Sequence, residues 1–169
     1  MSAPYARRPG QSALDMAAAR EFEEEVRAVL PDHCVVRTSS SVDLDYFIPP
    51  VVVEVKEKKQ PLTARWHGGQ DEEDLFIIDE LTVRKALKHW PYVWFVMKDC
   101  PQDRIFLANI AEILSADRHR FNRNGKGKWV IDTSGLTIVN LDGVMDHIRM
   151  DLDSEFWKAS CCVVTAPEV

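Results

Sequence analysis

One short stretch constrains this chain more than any other: residues 51–56, VVVEVK, directly behind Pro49-Pro50. A run of β-branched residues bounded by turn residues favours a strand. Two prolines, neither able to donate to a ladder, belong at a strand end. Residues 42–48 alternate in character and supply a second strand on the far side of that turn. A charge set into an apolar strand is costly unless it is paired, bound to metal or placed at an open rim, so Glu54 and Lys56 demand a reason. Strand side chains alternate, and these two point to the same face. If the hairpin closes symmetrically about its proline turn, Asp45 faces Glu54 and Asp43 faces Lys56, at a cross-strand spacing of about 5 Å. Two carboxylates that close repel each other unless a proton or a cation lies between them. A hard, oxygen-seeking cation such as Mg²⁺ would satisfy both. The plainer alternative is a surface hairpin whose Asp43–Lys56 pair is an ordinary cross-strand ion pair.

An acid, a turn and then Glu-x-Lys inside an apolar strand resembles the PD-(D/E)xK nuclease superfamily. Asp45 matches the first acid of the motif, Glu54 the second and Lys56 the lysine; Leu44 stands where many members have proline. The resemblance implies an α/β fold: a mixed central sheet flanked by helices, a restriction endonuclease-like core, here with a C-terminal extension. It implies phosphodiester hydrolysis dependent on Mg²⁺ or Mn²⁺, with DNA the first expectation as substrate of an endonuclease. Asp45, Glu54 and the backbone carbonyl of Val55 would hold the metal, and Lys56 would orient the attacking water or stabilise the charge that develops on phosphorus. Asp43 would be a partner of Lys56 or an additional ligand. In resolvase-like members a glutamate on the first helix joins the metal cluster; Glu25 is the candidate here and Glu21 the reserve. Many relatives cut as dimers, so a homodimer is compatible with the resemblance. The rival from another class is an inactive module that keeps the fold and binds a protein or nucleic acid.

The chain has 169 residues and a net charge of −6, which argues against sequence-blind coating of DNA. Any nucleic-acid contact must come from a local basic patch. Residues 117–129, DRHRFNRNGKGKW, provide one: Arg118, Arg120, Arg123, Lys126 and Lys128 stand against Asp117 alone, with Phe121 and Trp129 interleaved. Read as a flexible loop, this stretch suits a phosphate backbone and unstacked bases. Lys58, on the face of Lys56, is a further candidate for phosphate. Arg84, Lys85 and Lys88 flank a helix and offer weaker ones, and His67 is a loop histidine open to acid–base work. Four cysteines without C-x-x-C spacing point to a reduced, cytoplasmic protein with no zinc site. No apolar run is long enough to span a membrane, and the N-terminus lacks a signal-type apolar core.

Residues 1–12 are expected to form a disordered arm, 13–158 a single domain and 159–169 a tail. Helical spacing predicts a helix over 15–30, ended by Pro31, and strands over 34–38, 92–97 and 104–108. The run 92–97, YVWFVM, is apolar enough to be a central strand. Residues 61–74 read as a loop. Asp79 would cap a helix over 80–90 with Leu81, Val83, Ala86, Leu87 and Trp90 inward. A short helix is expected over 109–116, a strand pair 129–132 with 137–141 around Ser134-Gly135, and a closing helix over 142–158.

Overall fold

The computed structural model describes residues 11–31, 36–37, 44–48, 51–62, 66, 71–123 and 125–153. The centre is β3 (Val51–Lys58), whose first five residues are all buried. On one side β2 (Tyr46–Ile48) pairs with it antiparallel, and β1 (Val36–Arg37) pairs with β2. On the other side β5 (Val93–Asp99) pairs with it in parallel. The sheet continues through β6 (Arg104–Asn109) to the two-residue β9 (Thr137–Ile138). Residues 51–55 of β3 and 93–97 of β5 are buried at odd and even positions alike, as in strands covered on both faces. The fold is thus α/β with a mixed sheet flanked by helices, as expected.

Strand alternation sorts the two faces. Val51, Val53 and Val55, with Trp94 and Val96, pack beneath α1 (Gln11–Val29) and α4 (Val144–Asp153) through Phe22, Val26, Val144 and Ile148. Val52, with Val93, Phe95 and Met97, faces the other way, onto Val83 and Ala86 of α2 (Glu80–Ala86) and Ile110 and Ile113 of α3 (Ile110–Ser115). Asn109 and Glu112 close a reciprocal cap at the start of α3. A second sheet lies on this same side. In it β8 (Lys126–Asp132) runs between β4 (Leu75–Asp79) and β7 (Arg118–Arg123). Phe76, Ile78 and Ile131 join it to the face of β3 that carries Val52. Among the described residues no helix is long and apolar enough to cross a membrane.

Several expectations are corrected. The basic stretch is not a loop but the β7–β8 hairpin, turned at Gly125 with φ +73. Residues 129–132 do not pair with 137–141. Strand β8 is paired on one edge by β4 and on the other by β7, with Val130 and Ile131 buried on opposite faces, and the chain then crosses to the edge of β6. The helix expected over 80–90 ends at Ala86 and tightens into a 3₁₀ turn, Leu87–His89. Leu81, Leu87 and Trp90 are exposed, and of the expected stripe Val83 and Ala86 are buried. Leu81 and Val83 are two residues apart and cannot share a helix face. Helix α1 begins at Gln11, inside the expected arm, and α4 is described as far as Asp153. The expected arm and tail otherwise lie outside the described residues, as do Asp43, His67, Cys34 and the proline pair.

Candidate functional site

The β2–β3 register is the one that symmetric closure predicts: Ile48 opposes Val51, Phe47 opposes Val52 and Tyr46 opposes Val53. One step further sets Asp45 opposite Glu54. Because β2 begins at Tyr46, the Val55 N–H lacks a strand carbonyl on that side, and Asp45 takes its place, its Oδ2 accepting from Val55 N at 2.7 Å. Glu54 shares the parity of Val52 and lies on the face covered by α2, only 5% exposed. Its Oε1 is ion-paired with Lys56 Nζ, which also donates to the Val55 carbonyl at 3.2 Å. One ammonium therefore bridges two oxygens that the family resemblance would make metal donors.

Burial raises the Glu54 carboxyl to about 7; the Lys56 charge opposes this, and the Asp45 charge adds to it. Burial pulls the Lys56 ammonium down, but Glu54 and Asp45 together outweigh it and leave its pKa above the ordinary lysine value. Two further charges reach the site: Lys85 on α2 acts on Glu54, and Asp79 at the end of β4 acts on Lys56. Sequence reasoning placed neither there, since both come from segments distant in the chain. Asp79 makes no side-chain cap to α2; it pairs with Lys128, its cross-strand neighbour on β8.

The carboxylates of Asp45 and Glu54 and the carbonyl of Val55 are all hard oxygen donors. Mg²⁺ is commonly held by one or two carboxylates, with water and substrate phosphate completing its octahedron. The donor set fits that arrangement and not an all-protein cage: among the described residues no three His, Cys, Asp or Glu side chains cluster to hold an ion.

The structure does not bring Glu25 to these residues. It lies on α1, across the sheet from Glu54, and pairs with Lys98 at 3.0 Å. Glu21, on the same helix, is exposed. Lys58 is also corrected. It does share the face of Lys56, but its ammonium is buried, 3.0 Å from both Asp99 Oδ2 and Glu72 Oε1, and donates to the Leu75 carbonyl at 3.1 Å. A lysine so enclosed does not reach phosphate. In the hairpin, Arg118 stacks 4.5 Å over the Trp129 ring and donates to the Leu114 carbonyl. Arg120 Nε lies 2.7 Å from Glu80 Oε2, and Lys126 is exposed beside the turn. Arg123 ends β7, opposite Lys126. A cleft of about 480 Å³ separates α2 from the tip of this hairpin.

No protein-family model matches the chain, and no curated protein matches it. Among solved structures it is similar to D212, a nuclease from a fusselovirus, at 14% identity and a TM-score of 0.41, over 74% of this chain and 68% of that one. A likeness at that TM-score supports no argument, and the functional reading rests on the residues themselves.

Proposed function

We propose that the chain is a nuclease that hydrolyses phosphodiesters, DNA first among them, with Mg²⁺ or Mn²⁺ as cofactor. The observation that carries this reading is the convergence of Asp45, Glu54 and Lys56 around the Val55 peptide, with Glu54 buried on a face that the hairpin, α2 and β4 surround. Asp45, fixed by the Val55 N–H, presents its second oxygen; Glu54 and the Val55 carbonyl present theirs. A divalent cation held there would polarise the scissile phosphate and lower the pKa of a bound water. Lys56, released from Glu54, would direct its ammonium at that water or at the charge developing on phosphorus.

Calorimetric titration of Mn²⁺ into the wild type and Glu54→Ala, with thermal melts of both, tests the site. Wild type is expected to bind and the variant not, while both fold; Glu54→Ala and Lys56→Ala are then expected to lose cleavage by about a hundredfold or more. If the wild type binds no Mn²⁺, the reading fails. One observation favours a second reading, an inactive module binding protein or nucleic acid: the Lys56 ammonium already bridges Glu54 and Val55. A purely structural pair predicts that Glu54→Gln alters stability and has no metal effect.

A further inference from the structure

Arg84 on α2 and Arg120 on β7 come from distant parts of the chain, yet both end on one carboxylate. Arg84 Nη2 lies 2.6 Å from Glu80 Oε1, and Arg120 Nε lies 2.7 Å from Glu80 Oε2. A guanidinium carries five N–H donors in a planar fork; each of these spends one on Glu80, leaving donors suited to phosphate oxygens. Gly127 is what lets the three side chains meet. A Cβ there would lie 1.9 Å from Glu80 Oε2 and 3.0 Å from Arg120 Nη2. All three side chains line the cleft of about 480 Å³, together with Lys85, Lys126 and Asp79, so four basic groups face two acidic ones in a protein whose net charge is −6.

We propose that this cleft is a phosphate subsite for a single nucleic-acid strand, gripped by Arg84 and Arg120. Its inner wall adjoins the catalytic candidates, because Lys85 and Asp79 line it and their charges reach Glu54 and Lys56 respectively. The preference for a single strand follows from the size of the cleft. A duplex is a stiff cylinder too wide to enter a cleft of about 480 Å³. A single strand can follow a basic groove, as strand-binding proteins generally have it do. The subsite's role in cleavage rests on the nuclease reading above; its binding of a strand does not.

The experiment uses the full chain in EDTA, so that no cleavage occurs, and follows the fluorescence anisotropy of a labelled oligodeoxynucleotide of about twelve bases, single-stranded or duplex. The wild type is expected to bind the single strand more tightly. Arg84→Ala and Arg120→Ala, both at exposed positions, are each expected to weaken binding by about tenfold and to lower the salt slope by about 0.7. Gly127→Ala displaces the flexible ends of Glu80 and Arg120 without changing any charge, and is expected to weaken binding to a similar extent. Wild-type affinity in the doubly substituted Arg84→Ala, Arg120→Ala protein overturns the proposal, as does wild-type affinity in Gly127→Ala. Tighter binding of the duplex overturns the single-strand assignment, and so does displacement by inorganic phosphate at an equal concentration of phosphate groups. Oligonucleotide binding that depends on the arginines, in a protein that binds no Mn²⁺, sinks the nuclease reading alone. Normal Mn²⁺ binding with no effect of the arginines sinks the subsite alone.

Discussion

Glu54 bears the largest electrostatic cost in the site, and that cost has a pH signature. Its carboxyl is raised from an ordinary 4.5 to about 7, first by burial. The folded protein therefore holds this proton more tightly than the unfolded chain does. The associated stability is fully present below about pH 4.5 and is lost as pH rises through about 7, for a total of about 3 kcal/mol. Glu54→Gln removes the titration while keeping the shape. In metal-free buffer, denaturant midpoints at pH 5 and pH 8 are expected to differ by clearly less in Glu54→Gln than in the wild type; equal differences would mean that Glu54 is not the group responsible. The pairing of Glu54 with Asp45 was legible in the sequence because a two-residue turn and a period of two leave the register little freedom. The Lys56 ammonium on the Val55 carbonyl was not, because a side chain of that length reaches back only once its neighbours are in place.

The end of β3 makes the same point for elements. Alternation correctly put Lys58 on the face of Lys56, but its partners come from elsewhere: Asp99 is its register partner on β5, and Glu72 precedes β4. Arg104, on β6, reaches Asp99 at 3.3 Å. One buried cluster thus ties together β3, β5, β6 and the start of β4. Removing one member of such a cluster leaves a buried charge uncompensated. Lys58→Met is expected to cost about 3 kcal/mol in urea unfolding and to leave the oligonucleotide affinity of the folded protein unchanged; a loss of affinity with full stability would restore Lys58 as a phosphate contact. Local pattern was enough to find β3, β5 and the β2–β3 hairpin. It misjudged β8 and β9, which are close in sequence and flank a turn-like Ser134-Gly135, because both edges of β8 are taken by β4 and β7, pairings that no local pattern shows.

At the scale of the whole molecule the sheet is a partition. Helices α1 and α4 fill one side through Phe22, Val26, Val144 and Ile148, while α2, α3 and the second sheet fill the other, with the acidic hairpin face and the basic cleft on it. The apolar stripe of α1 was readable from its spacing, but a stripe says only that a helix packs, not which face of a sheet it covers. Glu25 was assigned to the metal on the family resemblance, and the partition separates the two. Its carboxylate instead pairs with Lys98, whose ammonium also sits 4.9 Å over the Phe22 ring, on the α1 side. Glu25 is 44% exposed in this pair, and an exposed ion pair is worth less than about 1 kcal/mol. Glu25→Ala should therefore fold with nearly wild-type stability. If the proposed centre is right, the variant binds Mn²⁺ with wild-type affinity by calorimetry, whereas Asp45→Ala and Glu54→Ala do not. A Glu25→Ala protein that folds but loses metal would mean that the ligand set is assembled around the sheet edge, through a movement of α1, and not on one face alone.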